Sequence, residues 1–277
     1  MASNNMKIGA IQVDSGGPLF VIAGLCVLES EALSLSVAHT LKEICSRYEL
    51  PYLFKASFDK ANRSSLRSSR GPGIEKGLEI LKRIKEECEV PVVTDVHEAS
   101  QVMPVAEVVD VLQIPAFLCR QTDLLIAAAE TGRTVSVKKG QFLAPWEMKN
   151  VVEKIESVGN HNILLVERGT TFGYNNLVVD FRSIPMMRSL GYPVVFDCTH
   201  SLQMPGSLGE RTGGQPEFIP TLARAAVAAG ADGVFLETHP SPRDALSDGA
   251  NCLILTQFES LIESLAALSR VRKQFSV

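Results

Sequence analysis

The sequence lacks any long hydrophobic run. No apolar stretch in the 277-residue chain approaches the roughly 20 residues that cross a bilayer. Its first residues, MASNNMKIGAIQVD, also lack the basic start and apolar core of a secretory leader. We therefore expect no membrane-spanning helix, no leader and a cytoplasmic location.

Closely spaced cysteine pairs are absent as well. The six cysteines lie far apart without a CxxC pair, and a chain of this size does not need disulfides to fold. We expect reduced thiols that mostly pack in the core. The net charge of −4 provides no excess of basic residues. Because nucleic acids and anionic membranes usually attract a basic surface, we predict neither as a partner.

The chain also has no Pro/Ser-rich linker and no low-complexity segment, so residues 1–277 are predicted to form a single domain. What it does have is a regular alternation of short Val/Ile/Leu-rich strands and amphipathic helical patterns, which is typical of a parallel sheet with crossover helices. Eight strands are predicted, at residues 20–26, 52–57, 90–96, 111–115, 134–140, 162–169, 193–200 and 233–239.

The number of strands favours one architecture. The helical patterns that separate the strands include residues 31–48, 73–88, 123–132, 146–159, 218–229 and 251–270. Eight such units in one domain indicate an α/β fold, the (β/α)8 TIM barrel, with an N-terminal β-hairpin at residues 6–19 closing its amino end. A doubly wound open sheet is the alternative, but no Gly-rich turn of the dinucleotide type follows the first strand.

Polar residues follow the ends of these strands, where TIM-barrel enzymes carry their active sites. The residues collected there are Lys55, Asp95, His97, Gln113, Lys138, Lys139, Glu167, Arg168, His200, Glu237 and His239. A hydrophobic barrel does not need these groups, and burying unpaired charges is costly. The sequence therefore predicts one polar site at the carboxyl ends of the strands.

One sector of this site is cationic. Its members are Lys55, Lys60, Arg63, Lys138 and Arg168. Arginine can grip carboxylate or phosphate with two hydrogen bonds, and lysine acts as a point charge. Five potential cations in a protein that is acidic overall predict a small polyanionic ligand.

A second sector offers metal ligands. In a closed barrel the first strand neighbours the last, so the residues that end strands one, seven and eight converge. The predicted ligands are Cys26, His200, Glu237 and Asp248. A thiolate, an imidazole and two carboxylates suit a divalent transition metal such as Fe²⁺, Zn²⁺, Mn²⁺ or Co²⁺. His239 and Cys198 share strand parity with Glu237 and His200, so both remain alternative ligands.

Seven segments form recognisable motifs. They are FKASFDKANRSS (54–65), TDVHE (94–98), LQIPAFLCRQTDLL (112–125), VKKGQFLAPWEMKN (137–150), ERGTTFGYNNLVVD (167–180), DCTHSLQMPG (197–206) and FLETHPSP (235–242). These motifs resemble the 3-deoxy-D-manno-octulosonate 8-phosphate synthase family, and the resemblance extends over residues 18–270. KANRSS separates this family from the 3-deoxy-D-arabino-heptulosonate 7-phosphate synthases, which carry a KPRT-type segment there.

The resemblance implies a transferase that condenses phosphoenolpyruvate with D-arabinose 5-phosphate and water, giving an eight-carbon sugar acid phosphate used in lipopolysaccharide precursors. It implies that Lys60, Lys138 and Arg168, helped by Gln113, bind phosphoenolpyruvate, and Lys55 is predicted as a further substrate-binding residue. It assigns the pentose phosphate to Asn62, Arg63 and Ser64, and implies a homotetramer. Asp95 and His97 remain alternative proton-handling groups. A related synthase that uses another aldose and a non-catalytic sugar-phosphate-binding barrel stay open as alternatives.

The resemblance also bears on the metal. Metal-dependent members of the family carry cysteine at the position of Cys26, whereas metal-independent members carry asparagine. DGAN at 248–251 resembles the metal-dependent pattern. Leu25, in contrast, stands where metal-dependent members commonly have proline. The resemblance therefore implies the metal-dependent type, with His200 and Asp248 close to the reacting groups.

Overall fold

The structure, a computed structural model, describes residues 6–63, 65, 68–206, 213–272 and 274. Its strands are β1 (Met6–Ile8), β2 (Ile11–Val13), β3 (Phe20–Gly24), β4 (Tyr52–Lys55), β5 (Val92–Asp95), β6 (Val111–Ile114), β7 (Thr134–Lys138), β8 (Ile163–Glu167), β9 (Thr170–Thr171), β10 (Leu177–Val178), β11 (Val194–Asp197), β12 (Gln203–Met204), β13 (Gly213–Gly214), β14 (Gly233–His239) and β15 (Leu253–Ile254). Its helices are α1 (Glu31–Arg47), α2 (Ile74–Glu87), α3 (Ala99–Val108), α4 (Thr122–Glu130), α5 (Met148–Glu156), α6 (Ser183–Arg188), α7 (Ile219–Ala228) and α8 (Phe258–Arg272).

Eight parallel strands form a closed barrel. Strands β3 to β8 pair in chain order, β8 pairs with β11, and β11 pairs with β14. The pairing of β14 with β3 closes the ring. Each predicted barrel strand is present within its predicted segment, so the TIM-barrel prediction is confirmed.

The helices differ from the prediction in two respects. Helices α3 and α6 were not among the predicted segments. The last helix was predicted from residue 251 but begins at Phe258, because residues 249–251 form a 3-10 turn and β15 then pairs with the end of β14. The backbone groups of residues 253 and 254 are thus satisfied in a sheet rather than in a helix.

Side chains along each strand point alternately into the barrel and towards the helices, and this divides the core into two layers. Interior positions such as Phe20, Ile22, Val166 and Phe235 form one cluster, and the intervening positions form a larger cluster beneath the helices. The β1–β2 hairpin joins the interior cluster through Met6, Ile8 and Val13, all of them buried. The hairpin therefore packs over the amino end of the barrel. That residues 1–277 form one domain stays a prediction.

Gly24 permits a close approach of β3 and β4 at the carboxyl end of the barrel. A Cβ atom at this position would lie 2.1 Å from the carbonyl oxygen of Lys55 on the neighbouring strand. Only glycine fits there without moving backbone. This contact fixes the spacing of β3 and β4 at the point where Cys26 and Lys55 reach the carboxyl end of the barrel.

Two expectations about the whole chain can be checked. All six cysteines are free and buried, in agreement with the prediction of packed thiols. None of the described helices has the length and apolar character needed to cross a membrane.

Candidate active site

A cavity of about 320 Å³ lies at the carboxyl ends of the barrel strands. Most predicted site residues line it, namely Lys55, Lys60, Asn62, Asp95, His97, Gln113, Lys138, Arg168, His200 and Asp248. Ala116, Phe117 and Leu118, which follow β6, add an apolar wall. The parallel strands thus bring together side chains that lie nearly 200 residues apart in the sequence.

Arg168 extends into the cavity from the position directly after β8. Its Nη2 donates to Gln203 Oε1 at 2.7 Å, while Nη1 is buried and has no hydrogen-bond partner among the described residues. Burial lowers the pKa of Arg168, although nearby Asp197 and Glu167 act in the opposite direction. A buried guanidinium with an unused donor is suited to an anionic ligand that arrives from solvent.

Lys138 lies deeper, in a chain of charged groups. Its Nζ is 2.6 Å from Asp197 Oδ2 and 3.3 Å from His200 Nδ1, and it lies 3.9 Å from the centre of the Phe235 ring. Burial lowers the pKa of Lys138 despite the opposing effect of Asp197. Burial alone would raise the pKa of Asp197, but His200 and Lys138 hold it below its ordinary value. The carboxylate therefore fixes both the ammonium and the imidazole.

Lys55 and Asp95 form a second buried network. Lys55 Nζ lies 3.0 Å from Ser57 Oγ, 3.3 Å from Glu237 Oε1 and 3.7 Å from Asp95 Oδ1. Asp95 also accepts hydrogen bonds from Ser57 Oγ and Gln113 Nε2. Burial alone would raise the pKa of Asp95, but Lys55 and other nearby cations hold it well below its usual range. Asp95 is therefore a carboxylate with its acceptor sites in use, which makes it a weak proton acceptor.

Three of the four predicted metal ligands form one group. Cys26, Glu237 and Asp248 each offer a ligand atom, and these atoms lie within 4.8 Å of one another. The Cys26 thiol donates to Ser247 Oγ at 2.9 Å and lies 3.3 Å from Asp248 Oδ2. His200 borders the group, because its Nε2 is 3.6 Å from Glu237 Oε2.

The chemistry of these donors fits a divalent transition metal. Glu237 Oε2 is buried and has no hydrogen-bond partner in the described part of the chain. Asp248 adopts a left-handed backbone conformation (φ 46°, ψ 27°), which is unfavourable for a residue other than glycine and is typical of functional sites. Burial and Glu237 raise the pKa of the Cys26 thiol. Cysteine, histidine and carboxylate ligands together suit Zn²⁺ and Fe²⁺ better than Mg²⁺ or Ca²⁺.

Comparison with known proteins identifies the family of this chain. The profile of the DAHP synthetase I family matches residues 3–274. This chain belongs to the DAHP synthetase I family. The match covers the barrel, the hairpin and every predicted site residue.

Similar proteins within the family carry a more specific name than the family itself. A relative from Cyanothece sp. is 60% identical over 258 residues, which are 93% of this chain and 94% of the relative. One from Pelobacter propionicus is 58% identical over 271 residues (98% and 100%), and one from Acidithiobacillus ferrooxidans is 55% identical over 268 residues (97% and 95%). All three are named 2-dehydro-3-deoxyphosphooctonate aldolase, a synonym of 3-deoxy-D-manno-octulosonate 8-phosphate synthase. The resemblance noted in the motifs is thus confirmed.

The alternative metal ligands lie elsewhere in this DAHP synthetase I family member. Cys198 packs in the core beneath the helices, and its thiol donates to Phe196 O at 3.6 Å. His239 Nδ1 lies 2.7 Å from the carbonyl oxygen and 3.0 Å from the amide nitrogen of Ser241, and its Nε2 is 3.5 Å from Glu29 Oε1. Of the residues described, neither belongs to the group formed by Cys26.

Four residues predicted for the polar site, Lys139, Glu167, Glu237 and His239, are not among the residues that line the cavity. Glu237 belongs instead to the metal-ligand group. Lys139 and Glu167 each lie two residues after an outward-facing residue, Val137 and Leu165 respectively, and so face the same way. Val137 and Leu165 belong to the cluster beneath the helices. The side chains of Lys139 and Glu167 are buried and lie 3.5 Å apart. The physical reason is that consecutive strand residues face opposite ways, so Lys138 and Lys139 cannot share one site.

Two of the three residues assigned to a pentose phosphate, Asn62 and Arg63, lie near the rim of the cavity. Asn62 lines the cavity and is exposed. Arg63 donates to the carbonyl oxygens of Ser69 (3.0 Å) and Leu246 (3.3 Å), and its Nη1 is 3.8 Å from Asp248 Oδ1. Ser64 falls outside the described residues. Arg63 thus lies beside the metal-ligand group as well as at the cavity mouth.

Sequence reasoning missed several polar residues of this family member's site. Asp197 holds Lys138 and His200, Ser57 bridges Lys55 and Asp95, and Gln141 and Gln203 line the cavity. Strand parity could have found Asp197, because it shares a face with Val195 of the interior cluster. Gln141 lies in the loop after β7 and Gln203 in the short strand β12, both beyond the ends of the barrel strands, where the parity of the barrel strands no longer predicts direction.

Proposed function

We propose that this chain condenses phosphoenolpyruvate with D-arabinose 5-phosphate and water to give 3-deoxy-D-manno-octulosonate 8-phosphate and inorganic phosphate, a step in lipopolysaccharide precursor synthesis. The observation that carries the proposal is the buried Arg168 guanidinium, whose Nη1 has no hydrogen-bond partner in the described part of the chain and which shares its cavity with Lys55, Lys60 and Lys138. Such a site fits a small ligand with several negative charges. The names of the relatives supply the substrates.

The reaction forms one carbon–carbon bond. The enol carbon of phosphoenolpyruvate attacks the aldehyde carbon of the pentose, and the aldehyde oxygen takes up a proton to become a hydroxyl. Water adds to the neighbouring carbon of phosphoenolpyruvate, and phosphate leaves with cleavage of its C–O bond. Negative charge moves between oxygens throughout, so fixed cations in a water-poor cavity are the principal means of stabilising it.

The buried cations are assigned to phosphoenolpyruvate. Arg168, Lys138 and Lys60 lie within the cavity, and Gln113, fixed by its bond to Asp95, adds a neutral amide. Arg168 offers a planar pair of donors to phosphate or carboxylate. Holding the enol and the aldehyde together in this cavity removes much of the entropic barrier to the bimolecular step.

Proton handling is assigned to His97 rather than to Asp95. The lowered pKa of Asp95 and its hydrogen bonds to Ser57 and Gln113 suit an orienting role. His97 lines the cavity, packs edge-on against Phe58, and has a buried Nδ1 without a hydrogen-bond partner among the described residues. An imidazole is well matched to proton transfer near neutral pH.

A divalent transition metal completes the proposed site, with Cys26, His200, Glu237 and Asp248 as its ligands. When bound, such an ion acts as a Lewis acid that can orient a substrate oxygen or lower the pKa of a bound water. Asp197 accepts the Nδ1 proton of His200 at 3.0 Å, which leaves Nε2 available on the side of Glu237. The family membership supports metal dependence, and Fe²⁺, Zn²⁺, Mn²⁺ and Co²⁺ remain the candidate ions.

The proposed assembly is a homotetramer that works in the cytoplasm. Phe117, Trp146 and Phe172 are 58%, 67% and 69% exposed, and they follow β6, β7 and β8 at the carboxyl end of the barrel. Large exposed aromatic side chains around one rim support a partner subunit at this end. A reducing compartment keeps the six thiols free.

The choice of aldose tests the proposed reaction. With phosphoenolpyruvate present, D-arabinose 5-phosphate should support phosphate release faster than D-erythrose 4-phosphate by on the order of 100-fold, since the shorter sugar leaves polar groups of the site unpaired. Initial rates of phosphate release with a panel of aldoses measure this preference. Faster turnover of erythrose 4-phosphate would assign the chain to heptulosonate phosphate synthesis. No phosphate release with any aldose would indicate a binding protein.

Arg63→Ala tests the position of the pentose phosphate. Loss of one charge-assisted hydrogen bond, about 1.5–3 kcal/mol, should raise the KM for arabinose 5-phosphate roughly 10- to 150-fold and leave the KM for phosphoenolpyruvate nearly unchanged. Arg70→Ala is the matched control, because Arg70 pairs with Asp59 on the outside of the same loop. A change confined to the phosphoenolpyruvate KM would mean that the two subsites are exchanged.

A further inference from the structure

A buried ion pair lies directly behind the cavity, on the side of the strands that faces the helices. It is formed by Lys139, which follows β7, and Glu167, the last residue of β8; their Nζ and Oε1 atoms are 3.5 Å apart. Each side chain is only 1% exposed. Neither lines the cavity, and the proposed reaction gives neither a role.

The pair encloses the peptide units that follow Arg168. Glu167 Oε1 accepts the amide hydrogen of Gly169 at 2.6 Å, and Lys139 Nζ donates to the carbonyl oxygen of Gly169 at 3.2 Å. Lys139 Nζ also lies 3.2 Å from Thr170 Oγ1. Both polar groups of the residue after Arg168 are therefore held by charged side chains from two neighbouring strands.

Lys139 also holds the preceding loop. Its Nζ donates to the carbonyl oxygen of Leu143 at 3.3 Å, in the segment that follows β7. The same segment carries Gln141, whose carbonyl oxygen accepts the Thr171 amide at 3.0 Å. The loops after β7 and β8, which supply Gln141 and Arg168 to the cavity, are thus joined to each other behind it.

Stability alone does not call for charges at these positions. The preceding outward positions on the same two strands are Val137 and Leu165, which pack in the core beneath the helices. Replacing a buried ion pair by apolar residues of similar volume is often neutral or stabilising. What an apolar pair cannot do is fix the orientation of the Gly169 peptide.

We infer that Lys139 and Glu167 are positioning residues for phosphoenolpyruvate binding, acting by fixing the Gly169 peptide and with it the direction of the Arg168 guanidinium. This inference rests on the proposed function. A binding group must be held within a fraction of an ångström of its productive position, and supporting residues behind it provide that precision. The ion pair thus supports a buried cation of the cavity whose Nη1 has no hydrogen-bond partner among the described residues.

A double variant separates positioning from folding. Lys139→Met/Glu167→Leu removes both charges together, so no uncompensated charge stays buried and the variant should fold, with its melting temperature lowered only by the lost hydrogen bonds to the Gly169 and Leu143 backbone. Its KM for phosphoenolpyruvate should rise about 10- to 100-fold, while its KM for arabinose 5-phosphate changes less than about 3-fold. Lys149→Met/Glu153→Leu, which removes an exposed pair on α5, is the matched control.

Tryptophan fluorescence can report on the loops after β7 and β8. Trp146 is the only tryptophan of the chain and lies three residues after Leu143. The emission of Trp146 should shift in the double variant and stay unchanged in the control variant. Unchanged emission together with wild-type kinetics in a folded double variant would overturn the inference.

Two further comparisons keep the test decisive. If the double variant does not fold, Glu167→Gln, which keeps an acceptor for the Gly169 amide, must raise the phosphoenolpyruvate KM less than Glu167→Leu. Equal rises in KM would contradict a positioning role.

Crystal structures of the wild type and a folded variant test the inference without any measurement of activity. A displaced Arg168 guanidinium supports it, and an unmoved one refutes it. Absence of phosphate release by the wild type would instead refute the proposed function.

Discussion

Arg168→Met should abolish most activity without destabilising the chain. Two charge-assisted hydrogen bonds to phosphoenolpyruvate, at about 1.5–3 kcal/mol each, correspond to a loss of kcat/KM on the order of 10² to 10⁴. The melting temperature should hold or rise, because the variant removes a buried cation whose Nη1 has no hydrogen-bond partner among the described residues. Steady-state kinetics and thermal unfolding of one preparation measure both effects.

Two controls accompany this variant. Arg168→Lys keeps the charge but loses the planar pair of donors, so its kcat/KM should lie between those of the wild type and Arg168→Met. Arg182→Met removes an exposed arginine that pairs with Asp180 and should leave the kinetics unchanged. A loss of melting temperature in parallel with activity would show that the Arg168 guanidinium supports the fold rather than the ligand.

Removal of a bound metal should have an effect of comparable size. The purified protein should contain about one transition metal ion per chain, and a strong chelator should lower the rate on the order of 100-fold until Mn²⁺, Co²⁺ or Fe²⁺ is restored. Cys26→Ser should weaken metal binding, because an alcohol is a poorer ligand than a thiolate. Metal content measured by elemental analysis is a readout that does not depend on activity.

Cys26→Asn is the sharper variant, since the family resemblance associates asparagine at this position with the metal-independent type. It should lose the metal and keep measurable activity that a chelator no longer affects. Cys198→Ala is the matched control, because this buried thiol lies in the core beneath the helices and should not alter metal content. Stoichiometric metal in Cys26→Asn would show that the thiol is not a required ligand. A metal-free wild type with full activity would place the chain in the metal-independent branch.

Most of the fold follows from local patterns in the sequence. Buried parallel strands are continuous apolar runs with a sharp polar end, and all eight were found because each run stops at a residue such as Lys55, Asp95 or Lys138. The start of α8 was misplaced for a physical reason. Residues 253 and 254 pair with the end of β14, and that partner lies outside any local window of sequence.

The site was predicted less completely than the fold. The cavity contains four of the five predicted cations, Lys55, Lys60, Lys138 and Arg168, and Cys26, Glu237 and Asp248 group as expected, because a closed barrel places strand ends side by side. Lys139 and Glu167 were assigned to the wrong face, since a polar residue at a strand end was taken as a site residue without its parity. Directions of side chains beyond the strand ends depend on tertiary contacts, such as the bond from Arg168 to Gln203.

The hairpin at the amino end of the barrel has a kinetic consequence. Met6, Ile8 and Val13 join the packed interior, and the described residues that line the cavity lie at the carboxyl end of the barrel, so we expect the reactants and inorganic phosphate to pass through that end. The cations assigned to phosphoenolpyruvate lie deep, with Lys138 and Arg168 only 6% and 4% exposed, whereas Asn62 is exposed at the rim. A pentose phosphate seated at the rim would block the deeper subsite. For the proposed reaction we therefore expect sequential addition, with phosphoenolpyruvate entering first, and dead-end inhibition of the free enzyme by excess pentose phosphate.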